Sequence, residues 1–212
     1  MRVNVFWKIR QIVPTLIALA GFTLSLQSAP GQDAPVAHTT AGARTTVVVF
    51  PNRPMPDDEW TALFAAVQNT AAAEKIDGAS ELEFVRGDTM RPGLSVESAV
   101  VVYLHGNCNL ESLPRRTAYS VRLGWVLLVN RNIDPYINVD CTRIGQVLGA
   151  RAQGLDRQAR DRMMAEAIAR VLVHEWIHVA RQSAEHGRNG ITKASFDVAD
   201  LLGEPETHVA RR

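Results

Sequence analysis

The chain has no excess of charge of one sign, no internal repeat, and only two cysteines, Cys108 and Cys141, in 212 residues. With 23 Lys and Arg against 22 Asp and Glu, it offers no basic field to neutralise phosphates, so nucleic acid is not an expected partner. The absence of a repeat excludes a solenoid. The apolar run IVPTLIALAGFTLSL at residues 12–26 is shorter than the roughly 20 residues a spanning helix needs, so no stable membrane anchor is expected. No cysteine stands near the end of that run, which removes the acceptor thiol that lipoprotein processing requires.

What the N-terminus does carry is the layout of a secretory signal. Arg2, Lys8 and Arg10, with no acid among them, precede the apolar run, as an n-region precedes an h-region. Small residues before Gln32 place the expected cut after Gly31, so residues 1–31 read as a signal peptide and the product as secreted or periplasmic. Its removal leaves 20 basic against 22 acidic residues, a net charge of −2. Residues 32–44, rich in Ala, Pro, Gly and Thr without apolar period, are expected to be a flexible leader. Residues 45–212 are long enough for one well-buried core and read as a single domain. An oxidising compartment favours a Cys108–Cys141 disulfide, the alternative being two buried thiols.

Hydrophobic patterning sets the order of elements. TTVVVF (45–50) is a β-branched run stopped by Pro51 and Asn52. Trp60, Leu63, Phe64 and Val67 fall at helical spacing behind Pro56, Asp57 and Asp58, with an Asp expected as N-cap. ELEFVRG (81–87) alternates like a half-buried strand, and SAVVVYLHG (98–106) suits a central one. GWVLLVN (124–130) and PYINVD (135–140) read as two strands around a turn at Arg131 and Asn132. CTRIGQVLG follows as a short helical turn, and Asp156 can cap a long helix from about residue 157 to beyond 178. The expectation is an α+β domain with a mixed sheet of about five strands, packed on an N-terminal helix and the long C-terminal one.

That long helix carries HEWIH, residues 174–178. Histidines four apart share a helix face, about 6 Å apart along the axis, and can bind one metal ion through imidazole nitrogens. Glu175 is placed to reach a water that the metal acidifies without filling a coordination site itself. A buried glutamate between two histidines is costly without a partner or a task. Two histidines do not complete a site. His186 is the nearest third candidate, yet on an unbroken helix it would lie about 12 Å further along the axis. It can bind only if the helix ends near residues 180–183 and the chain turns back. Glu185, Asp197, Asp200 and Glu204 compete for the role.

HEWIH on a buried helix, behind a strand-helix-strand series, resembles the zincin metallopeptidases, and the order of elements is similar to their metzincin-like branch. That branch continues as HExxHxxGxxH, with a glycine turn returning the third histidine and a methionine turn beneath the metal. Here Ala180 and Arg181 stand where the glycine falls, His186 comes two positions late, and no methionine follows Met164. Residues 45–203 also resemble a group of uncharacterised exported bacterial proteins that have a histidine at the position of His186. The resemblance implies zinc as cofactor, His174, His178 and His186 as ligands, and Glu175 as general base. It further implies an exported metalloendopeptidase acting on a peptide or protein substrate, expected to be a monomer. A zincin-like domain that binds zinc or a partner and hydrolyses nothing is the alternative. In such folds an edge strand above the cleft pairs with substrate backbone. GWVLLV is the candidate, against its reading as an ordinary core strand. His105 and Trp176 are expected to be structural.

Overall fold

The computed structural model describes residues 45–76, 82–90, 98–110 and 122–205. The expected signal peptide and leader lie outside the described residues. Within them the chain is α+β, with five strands in one mixed sheet of order β2-β1-β3-β5-β4. β1 (Thr45–Pro51) lies between β2 (Leu82–Arg86) and β3 (Ser98–His105), parallel to both. β5 (Asn132–Asp140) runs parallel to β3, and β4 (Gly124–Val129) closes the sheet antiparallel to β5.

α1 (Asp57–Ala73) makes the crossover from β1 to β2 and buries Trp60, Leu63, Val67 and Ala71, one stripe at helical spacing. Its N-cap is Pro56, which makes no side-chain cap bond, rather than the expected Asp. Asp57, Asp58 and Glu59 instead occupy the first turn, where they favour the positive end of the helix dipole. α1 packs along α3 (Arg157–Arg181), and both share a core with Val47 and Val49 of β1, Val102 and Leu104 of β3, and Ile137 and Val139 of β5.

The β4–β5 hairpin turns one residue earlier than its sequence suggests. Asn130 and Arg131 are the turn, both with positive φ (50° and 67°), and Asn132 already pairs with Val129. A two-residue hairpin needs left-handed backbone at both central positions, and asparagine is among the residues that tolerate it best. The ladder is then broken: Leu128 pairs with Ile133 and Val126 with Ile137, a bulge that contains Pro135. Proline has no N–H to give a ladder, which is why it sits where pairing lapses.

α2 (Cys141–Leu148) follows β5 directly, capped by the Asp140 carboxylate, which accepts from the Arg143 N–H at 3.0 Å. Cys141 at its first position forms the disulfide with Cys108, just beyond β3. α3 starts as expected, with Asp156 accepting from the Ala159 N–H at 2.7 Å. Its buried residues run without a break from Val171 to His178.

Candidate metal centre

α3 stops at Arg181 because Gln182 turns left-handed, at φ 49° and ψ 37°. Ser183 N–H closes the turn on the His178 carbonyl at 3.3 Å. The chain then reverses, and Gly187 N–H bonds the Thr192 carbonyl at 2.8 Å to close a loop around residues 187–192. A side chain on Gly187 would strike the Thr192 hydroxyl, so glycine lets this loop close without displacing Thr192. The reversal brings His186 back to the helix. Its ring centroid lies 4.8 Å from that of His178 and 5.3 Å from that of His174.

The ligand atoms of His174, His178 and His186 all lie within 4.8 Å of one another. The return segment fixes the tautomers. His174 Nδ1 donates to the Ile191 carbonyl and His178 Nδ1 to the Ser183 carbonyl, both at 2.6 Å, since a carbonyl can only accept. In the neutral imidazoles each Nε2 is then left with its lone pair, and the two Nε2 atoms lie 3.1 Å apart. Two acceptors at that distance repel unless a cation lies between them. Zinc held at about 2.0–2.1 Å by two imidazoles at a tetrahedral angle separates its donor nitrogens by about 3.3 Å. The residues therefore fit a metal ion, with carbonyl-anchored histidines of the kind that hold metal ligands in place.

Electrostatics point the same way. Burial depresses the His174 pKa to about 4, with the neighbouring rings of His178 and His186 adding to the effect and the Ile191 carbonyl opposing it. Burial and His178 also lower that of His186. His174 is thus neutral, the ligating form, at ordinary pH, and the downward shift of His186 favours the same form. Burial raises the Glu175 carboxyl to about 7, against the opposing charge of Arg122. A carboxylate with a pKa near neutrality is suited to take and return a proton.

These groups open on a cleft of about 1140 Å³, walled by residues 122–126 leading into β4, the end of α2 and the turn after it, and residues 193–198. β4 is an edge strand, not a core strand as its apolar sequence first suggests: its outer half, Leu127, Leu128 and Val129, is exposed. Gly124 rests directly on Glu175; a Cβ there would meet the Glu175 Cγ and Oε1 at 2.9 Å.

Three of the four competing acids are engaged elsewhere. Asp197 and Asp200 form a capping box on α4 (Val198–Leu201), with Asp200 also accepting from Lys193 at 2.8 Å through both oxygens. Glu204 pairs with Arg151 at 2.6 Å. Glu185 is exposed. Among the described residues no carboxylate joins the histidine group. Trp176 is buried as expected. His105 bonds Asn138 at 2.9 Å and stacks on Trp125 at 5.2 Å between ring centroids, a strand-face contact outside the histidine group. Phe196 packs edge-on against the His174 ring at 5.1 Å between centroids. Sequence reasoning missed Gln182, Gly124 and Arg122. Only a distance in space marks them, except that glycine at the head of an apolar strand hints at close approach.

Comparison with known proteins returns no match: no family model, no curated protein and no solved structure is similar to this chain.

Proposed function

We propose that the protein is an exported zinc metalloendopeptidase of zincin type, with His174, His178 and His186 as ligands and Glu175 as general base. The observation that carries this reading is the pair of Nε2 atoms 3.1 Å apart, their tautomers set by backbone carbonyls. A zinc ion held there supplies Lewis-acid polarisation of a carbonyl and lowers the pKa of a water toward about 7. Glu175 takes the proton from the attacking water as its oxygen bonds the scissile carbonyl carbon. The carboxyl group then passes that proton to the amine as the C–N bond breaks. The edge of β4 at residues 124–126, beside Glu175 and unpaired by any described strand, suits an extended peptide added as a further strand. The Cys108–Cys141 disulfide accords with an oxidising compartment and with the signal-like N-terminus.

The test is Glu175→Gln, assayed on a broad peptide library with zinc content measured in parallel. We expect a fall in turnover of at least about 100-fold, since general-base catalysis contributes about 10²–10⁴, with zinc still bound. Undiminished cleavage by this variant sinks the mechanism. Zinc bound by a wild type that cleaves nothing would assign the site to binding rather than catalysis.

A further inference from the structure

The helix bearing the metal-binding face ends on a residue of an unusual type for its backbone. Gln182 occupies the left-handed region, where a Cβ is crowded and glycine or asparagine usually stands. Its side chain accounts for the choice. The amide oxygen accepts from the Ile133 N–H at 2.9 Å, and the amide nitrogen donates to the Ile133 carbonyl at 2.9 Å and to the Val179 carbonyl at 2.8 Å. Ile133 belongs to β5, three residues before the first β3–β5 pair, Val101 with Tyr136. Gln182 thus supplies a bidentate partner beyond the point where β3 pairs with β5. On the other side of the same turn, the Ser183 carbonyl orients His178, and the chain reaches His186 three residues later.

We propose that Gln182 is a positioning residue whose clamp on Ile133 fixes the turn that presents His178 and His186, tying the metal centre to the β4–β5 hairpin that rims the cleft. A glycine makes the same left-handed turn without a Cβ penalty. It cannot make the clamp. Metal affinity therefore depends on a side chain that touches neither metal nor substrate. The inference rests on the metal-binding reading above and specifies what holds that site in shape.

The experiment measures zinc affinity of the full chain by competition with a chromophoric chelator, for wild type, Q182G and Q182N. In Q182G the lost clamp and the relieved backbone act in opposite directions on the metal-free fold, so its thermal midpoint stays close to wild type. Zinc affinity nevertheless falls about 10–100-fold, the usual cost of losing a group that orients a ligand. Exchange of the Ile133 amide hydrogen quickens in the same variant. Q182N tolerates the left-handed turn but is one methylene too short for the clamp, and loses affinity likewise. Wild-type affinity in both variants overturns the proposal, because only the turn would then count. A wild type that binds no zinc removes the metal reading and this inference together, whereas a binding wild type matched by both variants removes this inference alone.

Discussion

Glu175 is pressed against a strand that gives it room only because one residue has no side chain. A Cβ on Gly124 would come within 2.6 Å of the Val171 Cγ1 and 2.9 Å of the Glu175 carboxylate, so Gly124→Ala must push β4 outward or turn Glu175 aside. Overpacking of this kind costs about 1–3 kcal/mol, and thermal unfolding of the metal-free variant should show it. If Glu175 moves, kcat falls more than KM rises; an unchanged kcat would mean that the strand alone gives way. His186 makes the opposite case, since it is exposed while its two partners are buried. His186→Ala should leave metal-free stability within about 0.5 kcal/mol, as at most surface sites. Zinc affinity should drop by more than the roughly 100-fold upper cost of losing an outer-shell partner, measured by the same chelator competition. His174, Glu175 and His178 were legible in the sequence because residue type and a spacing of four determine a shared helix face. Gln182 was not, because its role lies in a contact 49 residues away.

At the scale of elements, the segment from Ser183 to Leu201 holds the site by its own short-range bonds, and α4 anchors its far end. Asp200 is the pivot: its carboxylate accepts from the Asp197 N–H and from Lys193 on the cleft wall. Burial alone would raise its pKa, but the Lys193 ammonium and the backbone N–H of Asp197 outweigh that and hold it below the ordinary value. A folded-state pKa below the unfolded value of about 3.9 stabilises the fold above that pH, and the contribution disappears as pH falls through the folded value. Asp200→Asn should therefore cost about 1 kcal/mol near neutrality, the size of a screened, charge-assisted bond. Denaturant midpoints should show a constant gap from wild type down to about pH 5 and a shrinking one below pH 4; a gap that persists in acid would place the effect in packing instead. Most elements were legible from periodicity, but their ends were not. The hairpin turn shifted to Asn130 because two left-handed positions in succession decide it, and α1 begins behind Pro56 because dipole-favouring acids can replace a side-chain cap.

At the scale of the molecule, the α+β class was readable from the alternation of strand and helix patterns, whereas the strand order was not. Which strand becomes the edge depends on pairings between distant segments, and an apolar GWVLLV reads alike in the middle of a sheet or at its border. The disulfide belongs to this scale because it closes a separation of 33 residues, from the end of β3 to the start of α2, around the segment that includes β4 and β5. In the chain-entropy model such a closure is worth about 3–4 kcal/mol. For a domain of this size that corresponds to roughly 10 °C in the thermal midpoint. The Cys108→Ser, Cys141→Ser double variant should lose that much stability in calorimetry. Its zinc affinity should nonetheless match wild type, because all three histidines sit on α3 and its return segment, and none lies on an element that the disulfide ties. A combined loss of stability and affinity would instead show that the cleft wall carried by α2 helps to shape the metal centre.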